Sequence, residues 1–189
     1  MKPNQLGSSI EGPGVMVISA RSISTVALLS WLSMLGFDLL LHAGLLARLY
    51  LEPSPFLLPP ETAFRLIPLG YLSFLMMALL MTWLMAKQRV EGGRDGLIYG
   101  LKLGGLIWGS QVIGLASITT AEHALLLGWF LGQTTELGIA GTVIGSSLGG
   151  VSHRRLSTRV IVFVVFTVLL AVVLQLSGFA PPALVINRG

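Results

Sequence analysis

The sequence predicts an all-α fold, a polytopic membrane helix bundle of about five transmembrane helices. Three observations carry that expectation. The first is composition: of 189 residues, 53% are hydrophobic and only 11% charged, with a mean hydropathy of +0.83. A soluble domain carries about 25% charged residues, and 12 basic plus 8 acidic side chains are too few to cover a water-facing surface of this size. The second is the length of the uncharged runs, several of which reach the roughly 20 residues a helix needs to cross a bilayer core. The third is the lack of the apolar–polar alternation that marks the strands of a membrane barrel.

The helices follow in order. Ser22–Phe37 is uncharged, Asp38 interrupts it, and apolar residues resume to Ala47, giving a first helix over 23–48. Leu66–Ala86 is free of charge and predicts a second over 63–86, with Thr62 as a candidate cap. Leu103–Ala121 follows Lys102 and predicts a third over 95–118. Ala124–Ser152 is broken only by Glu136, for a fourth over 124–149. Val160–Asn187 is uncharged, and Pro181-Pro182 is a stop, for a fifth over 158–178. Together these make one transmembrane domain over 22–180. It is preceded by a Gly/Ser-rich flexible tail over 1–21 and followed by a short tail over 181–189. The tail does not read as a signal peptide, and Met16 is an alternative start.

A pI near 10.0 does not indicate nucleic acid, because the basic residues form no contiguous block. They read as topology signals. With five helices, the side shared by the N-terminus and the 2–3 and 4–5 loops holds Lys2, Arg21, Lys87, Arg89, Arg94, Arg154, Arg155 and Arg159. The other side holds Arg48, Arg65 and Arg188. The positive-inside rule then places the N-terminus in the cytoplasm and the C-terminus outside. There is no cysteine, which excludes disulfides, thiolate metal sites and cysteine nucleophiles.

Glycine spacing predicts how the helices pack. Gly96, Gly100 and Gly104 recur every fourth residue in the third helix, with Gly105 and Gly109 on an adjoining stripe. The fourth helix carries Gly128 and Gly132, then Gly141, Gly145 and Gly149. Small residues four apart let two backbones approach closely, and the short Ser117–His123 connection makes these two helices a tight antiparallel hairpin. The fifth helix, almost all Val, Ile, Leu and Phe, belongs at the rim. The outer loop Tyr50–Glu61 carries four prolines and the apolar Phe56-Leu57-Leu58, which makes it a stiff connector or a lid.

Ionisable residues at membrane depth are costly and are functional candidates by default. The polar intramembrane set is Asp38, His42, Lys102, Gln111, Gln133 and Glu136. Asp38 and His42 are four apart and share a helix face. That arrangement serves a proton relay, a metal ligand pair or a polar clamp between helices. Reading the hairpin turn near residues 120–121 sets Glu136 level with Gly105 and predicts that Lys102 pairs with it. Contact between the first and fourth helices would gather Asp38, His42, Gln133, Glu136 and Gln111 into one pocket.

No metalloprotease, nucleotide-loop or EF-hand motif occurs. Gly145-Ser146-Ser147-Leu148-Gly149 fits the Gly-x-Ser-x-Gly pattern but lies inside an apolar helix, where it reads as packing. The sequence therefore implies no enzyme, no metal and no cofactor. Its expected partners are the lipid bilayer and either further copies of itself or other membrane subunits. The stretch Phe37-Asp38-Leu-Leu-Leu-His42-Ala-Gly44, followed by a Pro-rich loop and a Gly-rich hairpin with Glu136, resembles small bacterial multi-pass inner-membrane proteins of unassigned function, over about residues 36–150. Those proteins generally have about four helices, so the fifth helix and the long tail depart from their plan. The functional expectation is a small membrane protein handling protons, ions or a small solute through the polar cluster. The alternative is a non-catalytic accessory subunit of a larger membrane complex.

Overall fold

The computed structural model describes residues 20–51 and 54–181. The expected terminal tails fall almost entirely outside them. Among the described residues there are five α-helices: α1 (Ala20–Leu40), α2 (Pro60–Gln88), α3 (Gly93–Ile118), α4 (His123–Leu148) and α5 (His153–Leu176). No strand occurs among the described residues. α1 does not run on as α-helix to residue 48. It changes to a π-helical turn over Leu41–Leu45 and then a 3-10 turn over Ala47–Tyr50.

α2 starts earlier than expected, at Pro60, and Thr62 is not its cap. Proline at the first helical position has its φ preset and no N–H to leave unpaired. α5 likewise starts at His153, bringing Arg154, Arg155 and Arg159 into its first turns.

Four helices, α1, α2, α3 and α5, are long and apolar enough to cross a membrane. α4 is not among them, because Gln133, Thr134, Thr135, Glu136 and a series of glycines dilute its apolar content. It is nevertheless the most enclosed element. Leu125, Leu126, Leu137, Ala140 and Ile144 on it are all at most 3% exposed.

The glycines explain how α4 is enclosed. Toward α3, Gly96 abuts the backbone of Gly141 and Gly145, Gly100 abuts Leu137 and Gly138, and Gly104 abuts Thr134. Positions rise along α3 as they fall along α4, so the two helices run antiparallel at backbone contact. A Cβ on Gly96, Gly100 or Gly141 would enter a neighbouring carbonyl. Gly92, at φ 97°, donates its N–H to the Gly145 carbonyl at 2.7 Å and ties the start of α3 to the end of α4.

Toward α1 the partners differ. Gly128 receives the side chain of Leu46, and Gly132 that of Leu41. The glycines of α4 therefore serve two neighbours. Gly105 faces open space and Gly109 meets only the Phe130 ring at 3.5 Å, so this second stripe of α3 makes no close packing. Gly105 is one residue, about 100° around the helix, off the Gly96–Gly100–Gly104 line.

α1 is held on its other side by α5, which runs in the same direction. Gly36 lies against Val164 and Thr167, and Gly44 against Leu174 and Ala171. The main core is made by Val26 and Met34 of α1, Ala78, Met81 and Met85 of α2, and Leu137, Ala140 and Ile144 of α4. α5 buries Leu156, Val160, Thr167 and Ala171 and turns Val162, Phe166 and Leu169 outward at 59–63% exposure.

Candidate functional site

Where α1 loosens into its π-helical turn, the backbone aims His42 at two partners. Such turns interrupt an α-helix by one residue and recur at functional sites. His42 Nε2 lies 3.2 Å from Asp38 Oδ1, and His42 Nδ1 lies 2.6 Å from the Tyr50 hydroxyl. The Trp129 indole N–H of α4 donates to that same hydroxyl at 2.7 Å.

The proton positions follow from what each group can do. An indole is a donor only, so the Tyr50 oxygen accepts from Trp129 and its own proton points to His42 Nδ1. The neutral imidazole then carries its hydrogen on Nε2 and donates it to Asp38; this tautomer is assigned from the network. Burial pushes the Tyr50 phenol up to about 12, and Asp38 adds to that rise while the Trp129 bond opposes it. Tyr50 therefore keeps the proton it gives to His42 throughout the ordinary pH range. Phe56, from the Pro-rich loop, closes over this group with its ring 6.0 Å from that of Trp129.

Two clasps join this segment to α5 and the residues just after it. Gln175 Nε2 donates to the Ala43 carbonyl at 3.0 Å, within the turn where the regular helical pattern is interrupted. Arg48 donates to the Phe179 and Gly178 carbonyls at 2.7 and 2.8 Å, satisfying acceptors just past the end of α5.

Deeper between the helices lies Glu136. It is 0% exposed and Gln133, one turn away, 5%. Neither Glu136 carboxyl oxygen has a hydrogen-bond partner. Since Leu41 seats on Gly132, one turn along α4 and one turn back along α1 bring Glu136 to the level of Asp38. The field of Asp38 reaches Glu136, and also Tyr50 and Tyr71.

Of the sequence-derived polar residues, Asp38 and His42 are thus joined, and Gln133 and Glu136 are enclosed on α4 near the level of that pair. Lys102 and Gln111 stand apart from them. Both are exposed, and Lys102 forms no pair with Glu136. The register is not at fault, because Gly100 and Gly104 opposite Leu137 and Thr134 leave Lys102 level with Glu136. The cause is direction. Lys102 is two residues from Gly100 and from Gly104, about 200° around the helix, so it projects away from α4.

Sequence reading missed Tyr50 and Trp129 as members of the site. The π-helical turn that brings Tyr50 back to His42 has no sequence signature, although a phenol at position 50, two helical turns after the histidine of an Asp-x-x-x-His pair, was a visible partner. Among the described residues, no group of three His, Asp or Glu side chains is placed to hold a metal ion. Comparison of the chain with known protein families, curated proteins and solved structures gave no match.

Proposed function

We propose that this chain is a multi-pass membrane protein that handles a proton, an ion or a small solute at a site made by Asp38, His42, Tyr50, Trp129, Gln133 and Glu136. Support for the membrane setting comes from the four apolar helices of spanning length. The exposed basic residues Lys87, Arg89, Arg94, Arg154, Arg155 and Arg159 stand at one end of the helices, and Arg48 and Arg65 at the other. On the positive-inside rule the first end is cytoplasmic, which puts His42, Tyr50 and Trp129 toward the outer side. The resemblance noted above suggests a bacterial inner membrane.

The observation that carries the functional reading is Glu136, an acidic side chain wholly enclosed with both oxygens unpartnered. A structural clamp would use its hydrogen-bonding capacity. An orphaned buried carboxyl costs stability without contributing a contact, and sites of that kind are retained for chemistry. The purified chain in liposomes tests this, with proton, cation and small-solute flux compared between the native protein and Glu136→Gln. Loss of one flux in the variant supports the reading. Identical behaviour toward all of them refutes it.

A further inference from the structure

We infer that the species handled at this site is a proton. It is exchanged between Glu136 and the outer end of the bundle alone, through Asp38, with His42 as the positioning residue. This deepens the proposed function and rests on it.

The first argument is volume. Glu136 leaves no surface that a water molecule can reach, and each carboxyl oxygen is enclosed. A metal ion would need several oxygen ligands around it, and an organic solute would need a cavity. A proton needs no volume. It also resolves the orphaned carboxyl, because a neutral acid is far less costly to enclose than an ionised one.

The second argument is the gradient of exposure along the polar residues. His42 and Asp38 have side chains 32% and 14% exposed, and Glu136 is 0% exposed. The step is a plain transfer. A proton from outer water forms the O–H bond of Asp38. Glu136 stands level with Asp38 without a hydrogen bond to it, so the transfer takes place when side-chain rotation brings the two carboxyls together: the Asp38 O–H bond breaks, Glu136 takes the proton, and Asp38 returns to carboxylate. His42 holds Asp38 Oδ1 through Nε2–H and is itself held by Tyr50 and Trp129. Beyond Glu136, toward the basic end, lie Met34, Met81, Met85, Ala140 and Ile144, all at most 1% exposed. Among the described residues Glu136 is the one titratable side chain in the buried set, so no buried carboxyl, imidazole or ammonium group continues the path on that side.

Among the described residues the titratable group that acts on Glu136 is Asp38 of α1, and His42, Tyr50 and Tyr71 stand around Asp38. α3 turns Lys102 away, and α5 brings its charges only in its first turns, at His153, Arg154, Arg155 and Arg159. Among the described residues no cationic side chain therefore neutralises Glu136, and a bound proton would supply its counter-charge.

The test is infrared spectroscopy of the full chain in liposomes, following the C=O stretch of a protonated carboxylic acid. The native protein is expected to show a band that Glu136→Gln removes, that sodium and potassium leave unchanged, and that shifts in deuterium oxide. Asp38→Asn should keep the band but slow its deuterium exchange on the order of 100-fold, the lower end of what a positioned proton-transfer group contributes. His42→Gln should slow it less, and a merely structural histidine would leave the rate unchanged. A band absent from the native protein, unaltered by Glu136→Gln, or abolished by sodium at constant pH overturns the proton inference. If Glu136-dependent cation or solute flux persists in that case, the proposed function stands without it. A band that behaves as expected, with no flux altered by Glu136→Gln, leaves protonation correct and refutes transport.

Discussion

α4 and α5 are of nearly equal length, 26 and 24 residues, and divide the work of the bundle in opposite ways. α5 is the more apolar and turns Val162, Val165, Phe166 and Leu169 outward. α4 carries glutamine, threonine, glutamate and glycine and is enclosed by α1, α2 and α3. In a soluble protein the most apolar helix goes to the centre. Where the surroundings are themselves apolar, enclosure gains nothing from hydrophobicity and depends on how closely backbones fit. In the membrane setting proposed above, a helix without a spanning apolar window can therefore be the core, and the site is built on it.

The sharpest way to break that contrast is at backbone contact. Gly100→Ala and Gly141→Ala each drive a methyl into an opposing carbonyl. Either should cost about 3 kcal/mol or more, at or beyond the upper end for overpacking, read as lost thermal stability in detergent. Gly105→Ala on the same helix has nothing within 4 Å and should be neutral or stabilise by up to about 1 kcal/mol through helix propensity. Equal losses at Gly100 and Gly105 would contradict the packing.

Glu136→Met should raise stability by about 1–3 kcal/mol, the cost of an enclosed polar group left unpaired, while abolishing flux. A destabilised variant would mean that the carboxyl has a structural partner. Gln175→Ala removes the clasp on the Ala43 carbonyl and should cost about 1 kcal/mol. It should also disturb the His42 NMR signal, which an outward residue of α5 would not do.

Tyr50 gives a pH signature. The unfolded phenol releases its proton near pH 10 and the folded one near 12, so the folded state holds an extra proton in between. Stability tied to Tyr50 is whole below about pH 10 and falls as pH rises toward 12. Tyr50→Phe should remove that slope, which a comparison of melting temperatures across the window would reveal. The smallest effect belongs to α5's outer face: Val165→Ala and Leu169→Ala should change stability by no more than about 0.5 kcal/mol.

Much of this was legible in the sequence. Helix number follows from uncharged runs, and the Gly96–Gly100–Gly104 stripe marks the face that meets α4. What escaped has physical causes. The hairpin turn gives an approximate register but not rotation, so Lys102 was paired with a carboxyl it turns away from. Glycine spacing shows that a face is small without naming its neighbour, so Gly128 and Gly132 could not be assigned to α1. The π-helical turn at Leu41–Leu45 arises in tertiary contact with Gln175 and left no local mark. Asp38, His42, Gln133 and Glu136 were found because ionisable and amide groups stand out in an apolar chain. Tyr50 and Trp129 were not, because aromatic residues near helix ends have an ordinary explanation at an interface.

The central claim is that α4, the less apolar helix, is enclosed by protein while α5 forms the rim. The chain has no native cysteine, so single cysteines can be spin-labelled cleanly after reconstitution into lipid. Labels at Ala140 and Ile144 on α4 and at Val165 and Leu169 on α5 should separate by collision with dissolved oxygen, which concentrates in the bilayer. The account predicts high oxygen accessibility at both α5 positions and low accessibility to oxygen and to water-soluble reagents at both α4 positions. High oxygen accessibility at Ala140 and Ile144, with shielding at Val165 and Leu169, would contradict it.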